Sequence, residues 1–249
     1  MINGYIISLE DQEESVGKLI YTMQKTYSDI NPIVFEATTP DTVDCHLKNE
    51  FNYFDSRNFK WTWPTNPAQN HVDMKTGIYK FAYNAVNQDK KVACSISHMR
   101  LWDLCVTTNE PILIFEADAL FTRQWNQDEM GAAKFVGLND PRGATRRAQV
   151  FHDKVSRLNG LQKVPTINNL NEFEPQGIVN TLLSLAPQGI AGHSAYYITP
   201  DGARELLDKV KTYGMWPNDA YVCKELFPWI CVVYPYFTKV QMTASTTTR

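Results

Sequence analysis

Apolar positions along this chain switch between two periods, and the switches mark out its elements. Residues 2–9 read as an opening strand. From Asp11 to about Tyr27, Val16, Leu19, Ile20 and Met23 recur at helical spacing, and Pro32 to Ala37 reads as a second strand. A strand–helix–strand start is a βαβ unit, whose crossover is right-handed almost without exception. A helix follows from about Ala93 to Val106, with Cys94, His98, Leu101 and Cys105 in a stripe at i, i+4, i+7 and i+11 that faces the core. Ile112 to Phe115 is an unbroken apolar run, the pattern of a strand buried on both faces. Lys134 to Leu138 and Ser194 to Ile198 are further strands. Thr199-Pro200-Asp201 opens a helix with an N-cap, a proline at its first position and an acid at the positive end of the dipole. Ala203, Leu206, Leu207 and Val210 are its buried stripe. A short helix from Asp219 to Leu226 and a strand over 229–234 complete the pattern.

Two segments lack a period. Residues 51–70 carry Phe51, Tyr53, Phe54, Phe59, Trp61 and Trp63 among turns, and read either as a packed surface loop or as a platform on which a sugar or base stacks. Residues 140–190 are rich in Asn, Gln and Pro, the composition of substrate-side loops or a lid. With no repeat and no linker, residues 1–249 are expected to form one α/β domain, a Rossmann-like, mostly parallel sheet with flanking helices.

The candidate chemistry sits where the apolar run breaks. Glu116 and Asp118 end it, two positions apart, so strand alternation aims both to one side. Ligands of open α/β sheets lie beyond the carboxyl ends of strands. Two carboxylates there suit a hard divalent cation that also holds phosphate oxygens; the plainer reading is a solvated acidic turn. There is no G-x-x-x-x-G-K or G-x-G-x-x-G, which argues against P-loop and dinucleotide-binding enzymes, and no metal-type His/Cys spacing or nucleophile elbow.

Composition narrows the setting. The chain is 43% hydrophobic and 20% charged, a globular balance, and it has no long apolar run and no basic leader, so a cytoplasmic protein without integral membrane association is expected. Its five cysteines are scattered and read as reduced thiols. Net charge is −3, yet residues 134–163 hold seven basic residues (Lys134, Arg142, Arg146, Arg147, Lys154, Arg157, Lys163) and two acidic ones. That stretch reads either as a solvated loop or as a docking surface for phosphates.

Taken in order, Tyr5 to Glu10, Ala93-Cys94-Ser95-Ile96-Ser97-His98, Glu116-Ala117-Asp118, Gly192 to Thr199 with Gly202-Ala203, and Trp216-Pro217-Asn218-Asp219 form a set. The set resembles glycosyltransferase family 25, which includes lipooligosaccharide and collagen galactosyltransferases. The resemblance covers roughly residues 2–125 and 190–248. Where that family typically shows Asn-Leu-Asp, Gly-Cys-x-x-Ser-His and Glu-Asp-Asp, this chain has Ser8-Leu9-Glu10, Ala93 at the glycine and Ala117 at the middle acid. The resemblance implies a GT-A-like fold, a nucleotide-sugar donor of the UDP-sugar kind, and Mn²⁺ or Mg²⁺.

It further implies that Ser97 and His98 shape the donor pocket, and that the Ser8 and Glu116 strand ends border it. The small residue Gly192 would let backbone approach the sugar. Asp118 is expected as metal ligand, with Glu116 as a second ligand or a ribose contact. Glycosyl transfer also needs a base for the acceptor hydroxyl. The resemblance favours Asp219 for this over a plain helix cap. The acceptor is read as a saccharide such as a surface glycan. Alternatives are a hydroxymethylated pyrimidine of viral DNA, which the basic stretch would suit, and a non-catalytic nucleotide-sugar binding module.

Overall fold

The structure is a computed structural model describing residues 1–82, 87–142, 148–167, 182 and 185–241. Its centre is a seven-stranded sheet in the order β2-β1-β5-β9-β7-β10-β8. The strands are β1 (Ile2–Ser8), β2 (Ile30–Glu36), β5 (Ile112–Glu116), β7 (Phe135–Gly137), β8 (Gly160–Lys163), β9 (Ala195–Ile198) and β10 (Cys231–Tyr234). β1 pairs in parallel with β2 and β5, and β7 with β10; β9 is antiparallel to β5 and β7, and β8 to β10. Five strands therefore point one way, and β9 and β8 the other. Two small two-stranded antiparallel sheets are added: β3 (His71–Val72) with β4 (Tyr79–Lys80), and β6 (Ala119–Phe121) with β11 (Thr238–Val240).

Helices α1 (Glu13–Lys25), α2 (Val43–Asn49), α3 (Gln88–Thr108), α4 (Ala148–Val155), α5 (Pro200–Tyr213) and α6 (Asn218–Tyr221) surround the sheet. β5 is buried on both faces, as its unbroken apolar run predicts. Ile112 and Ile114 join the core shared with α3 and α5, while Leu113 and Phe115 join the core under α1. On α5 the predicted cap holds: the Thr199 hydroxyl accepts from the Gly202 N–H. Ala203, Leu206, Leu207 and Val210 on its inner face are all 0% exposed. Each large side chain so buried contributes roughly 1.5–3 kcal/mol.

α3 begins earlier than its apolar stripe predicts, because the Asn87 side chain accepts from the N–H groups of Asp89 and Lys90 and starts the helix at Gln88. It packs against α2, α5 and α6.

Two expectations change, and one open alternative is decided. The helix expected over Asp219–Leu226 stops at Tyr221, because the next residues pair with another segment: Cys223 bridges Gly189 and the Lys224 N–H donates to Gln188 O. Within 140–190, α4 and the edge strand β8 replace part of the expected loop; β8 pairs with β10 and closes the sheet on that side. The aromatic segment 51–70 is a packed loop. Phe54 and Trp63 are 2% and 3% exposed, the Asp103 carboxylate accepts from the N–H groups of Asn52, Tyr53 and Phe54, and Thr62 N–H donates to Met215 O.

Candidate active site

Ser8 pairs with Glu36 and Ile7 with Glu116, so the carboxyl ends of β2, β1 and β5 form one edge of the sheet. β9 runs the opposite way and begins at that same edge, where the Glu116 N–H donates to Ser194 O at 2.8 Å. From β1 the sheet grows to β2 on one side and β5 on the other. This is the switch point at which α/β sheets open a crevice.

Alternation along β5 puts Glu116 on the side of Ile112 and Ile114, facing α3. Cys94 and His98 lie one turn apart on α3. Their ligating atoms and those of Glu116 all lie within 4.8 Å of one another. His98 Nε2 stands 3.6 Å from Glu116 Oε1. Beneath His98, the Tyr196 hydroxyl accepts from Trp102 Nε1 at 2.9 Å and lies 2.8 Å from His98 Nδ1. Burial holds the Tyr196 pKa well above its ordinary value, so the hydroxyl keeps its proton. With Trp102 a donor only, that proton goes to His98 Nδ1, which leaves the imidazole proton on Nε2, toward Glu116.

Asp118 occupies the turn between β5 and β6, so strand alternation ends at Glu116 and does not align the two carboxylates. The turn is held instead by Gln241. Its N–H donates to Asp118 O at 2.8 Å, and its side-chain amide donates to the carbonyls of Ser15, Ala117 and Ala119. Asp118 Oδ1 is buried with no hydrogen-bond partner among the described residues. Burial, and then the Glu116 charge, raise the Asp118 pKa to about 6.

Asp219 sits at the start of α6 with its side chain exposed to solvent. Dense protein on its other sides raises its pKa, Lys91 opposes the rise and Glu116 adds to it. Gly189 fixes the backbone there: a Cβ at that position would fall 1.9 Å from Asp219 O. Glu116 thus lies within electrostatic reach of both other carboxylates, and Lys91 balances Asp219.

The remaining predicted residues have other duties. Ser97 Oγ accepts from the Thr38 N–H at 2.8 Å and donates to Ala93 O at 3.2 Å, tying the end of β2 to α3. The Ser8 hydroxyl donates to Leu9 O. Gly192 has φ +73°, and a Cβ there would meet Asn139 Nδ2 at 2.8 Å, so its small size serves packing against the 139–141 turn. In the basic stretch, Lys134 is paired with Glu205 and Arg142 with Asp140, while Lys154 and Lys163 donate to the backbone carbonyls of Thr166 and Pro228. Arg146 and Arg147 lie outside the described residues.

Sequence reasoning passed over three residues of this cluster. Lys91 extends the Cys94–His98 face by one turn, a spacing visible in the sequence. Cys94 stands in the sequence both in a core stripe and in the family's helix motif, neither of which assigns its thiol a role. His193 is 7% exposed, stacks on Phe135 with centroids 5.5 Å apart, and has no partner at either ring nitrogen among the described residues. A histidine next to a strand start gives no such signal.

The donor set fits a hard divalent cation. The oxygen donors are Glu116 and Asp118; one buried Asp118 oxygen has no partner among the described residues, and burial, then the Glu116 charge, raise the Asp118 pKa, a penalty on its charged form that a cation would relieve.

Carboxylates gathered at the switch point of an α/β sheet define a class of enzyme whose substrate lies beyond the strand ends. Within that class, the chain belongs to glycosyltransferase family 25. The family model, described as glycosyltransferase family 25 (LPS biosynthesis protein), matches residues 1–222. The protein is accordingly a glycosyltransferase. No curated protein matches the chain. Among solved structures, the chain is similar to the bifunctional glycosyltransferase WbbM in its apo form, at 11% identity and TM-score 0.42, covering 94% of this chain and 38% of that one. It is also similar to the galactosyltransferase LgtC in complex with donor and acceptor sugar analogues, at 10% identity and TM-score 0.40, covering 93% and 73%. Among the described residues, no helix is long and apolar enough to cross a membrane.

Proposed function

We propose that this chain acts as one GT-A-type domain that moves a sugar from a nucleotide-sugar donor, of the UDP-sugar kind, to a hydroxyl of a saccharide acceptor such as a surface glycan, with inversion. We place it in the cytoplasm, which its free, partly exposed thiols suit. The observation that carries the reading is that Glu116 lies within electrostatic reach of both Asp118 and Asp219, and that a buried Asp118 oxygen has no partner among the described residues.

Glu116 and Asp118 would hold Mn²⁺ or Mg²⁺, which when bound neutralises charge on a departing diphosphate. Asp219 takes the proton of the acceptor hydroxyl. Its pKa is raised by the surrounding protein and pulled back by Lys91, a direction that suits a base. His98 directs its Nε2 proton at Glu116 and limits where that carboxylate can swing. Gln241 fixes the Asp118 turn. The β2 end, tied to α3 through Ser97, borders the crevice in which the nucleotide would lie.

The test is nucleotide release from a panel of nucleotide sugars, with and without Mn²⁺, in the presence of oligosaccharide acceptors. Acceptor-dependent release that stops in excess chelator supports the assignment. No release from any donor, with the fold intact, overturns it.

A further inference from the structure

Glu116 has a second set of neighbours whose chemistry differs from that of Asp118. Cys94, His98 and Glu116 offer one sulfur, one nitrogen and one oxygen donor within 4.8 Å of one another. His98 is 1% exposed, and its Nε2 has no hydrogen-bond partner among the described residues although it points at Glu116. At 3.6 Å, the Nε2···Oε1 separation is too long for a hydrogen bond. It is close to the roughly 3.3 Å that separates a nitrogen and an oxygen bound to one tetrahedral ion at about 2.0–2.1 Å each.

We propose that Cys94 Sγ, His98 Nε2 and the Glu116 carboxylate form a binding site for a borderline-soft divalent cation of the zinc class. Three protein ligands of mixed sulfur, nitrogen and oxygen type, the Glu116 side chain partly exposed to solvent, suit that ion better than Mg²⁺ or Mn²⁺. The i, i+4 spacing on α3 presents the thiol and imidazole from one rigid helix, and β5 brings the carboxylate from the opposite side. Tyr196 supplies the outer support that ligating histidines use, 2.8 Å from Nδ1.

The protons balance. On binding, the Cys94 thiol releases its proton to solvent. The His98 proton leaves Nε2, and Nδ1 is protonated in its place, so the ring stays neutral. Nδ1–H then donates to the Tyr196 oxygen, which continues to accept from Trp102. Lys91 lies near Cys94, but its charge also faces Asp219.

Glu116 belongs to both cation sets, so a zinc-class ion in this site excludes the hard cation from Glu116. That consequence rests on the glycosyl-transfer reading; the site itself does not.

Co²⁺ is the probe, titrated into the full chain. The expected result is one equivalent bound, with a sulfur-to-cobalt charge-transfer band in the near ultraviolet that Zn²⁺ bleaches. Cys94→Ser should remove the band, and His98→Gln should weaken binding about tenfold or more. Asp118→Asn should leave the band in place. Near-ultraviolet circular dichroism checks that each variant is folded. No band at stoichiometric Co²⁺, or a band undiminished in folded Cys94→Ser, overturns the proposal. The same preparations are assayed for nucleotide release under Mn²⁺. A cobalt band in a chain that transfers no sugar supports the site and overturns only the transferase assignment.

Discussion

Two carboxylates at the sheet edge differ in what their loss should do. Among the described residues Asp118 Oδ1 makes no hydrogen bond that an amide would forfeit, and its carboxyl is held near pKa 6 by burial and by Glu116. Asp118→Asn is therefore expected to leave the circular dichroism spectrum unchanged and to lower turnover by about 10²–10³-fold, with weaker Mn²⁺ binding. A variant as fast as the parent would remove Asp118 from the cation site. Asp219 is the proposed base for the acceptor hydroxyl. Asp219→Asn is expected to lower kcat by about 10²–10⁴-fold while the calorimetric affinity for donor stays the same. An equal loss of donor affinity would instead place Asp219 in the donor pocket.

Elements set these residues through contacts remote in sequence. Gln241, just beyond β11, binds the carbonyls on both sides of Asp118 and one at the start of α1. Gln241→Ala removes the side-chain bonds and keeps the backbone bond to Asp118 O. Urea denaturation should show a loss of about 1–2 kcal/mol, and Mn²⁺ affinity should fall with it. Stability lost with cation affinity unchanged would mean that the strap serves the fold alone. Gly189 acts on the other carboxylate. Gly189→Ala puts a methyl group 1.9 Å from Asp219 O, backbone that gives way only by moving α6. The expected cost is about 1–3 kcal/mol in denaturation, with kcat reduced even where the variant remains folded. Normal kcat in that variant would show that the start of α6 tolerates displacement.

At the scale of the whole molecule, the buried histidine under the crevice couples stability to pH. His193 has a pKa well below the ordinary value of 6.5, from burial first and the neighbouring His98 second. The unfolded chain takes up a proton below about pH 6.5 that the native state refuses. The stability linked to His193 is therefore complete above that pH and lost as pH falls toward the folded-state pKa. The limiting slope is about 1.4 kcal/mol per pH unit. His193→Phe keeps a ring against Phe135 and Tyr196 and should flatten the acid limb of a stability–pH curve by up to that slope. Parallel curves for parent and variant would show that His193 titrates as it does in water.

Local pattern was enough for much of the fold. β1, α1, β2, β5, β9 and the capped α5 follow from period, cap and apolar run, because backbone sterics and burial of a stripe act over a few residues. The family's ordered motifs were legible for the same reason, since each lies within one element or its end. Tertiary structure decided the rest. Asp219–Leu226 lost most of its helix because Gln188 and Gly189 competed for its backbone. Asp118 left the strand because β6 pairs with β11, more than a hundred residues away. Ser97 and Gly192 proved to be occupied by backbone packing, and Lys134 and Arg142 by ion pairs. The gathering of Cys94, His98 and Glu116 depended on a strand alternation and a helix face meeting across the core. Sequence spacing sets which side of its own element a residue takes; only the packing of elements against one another sets which residues then share a site.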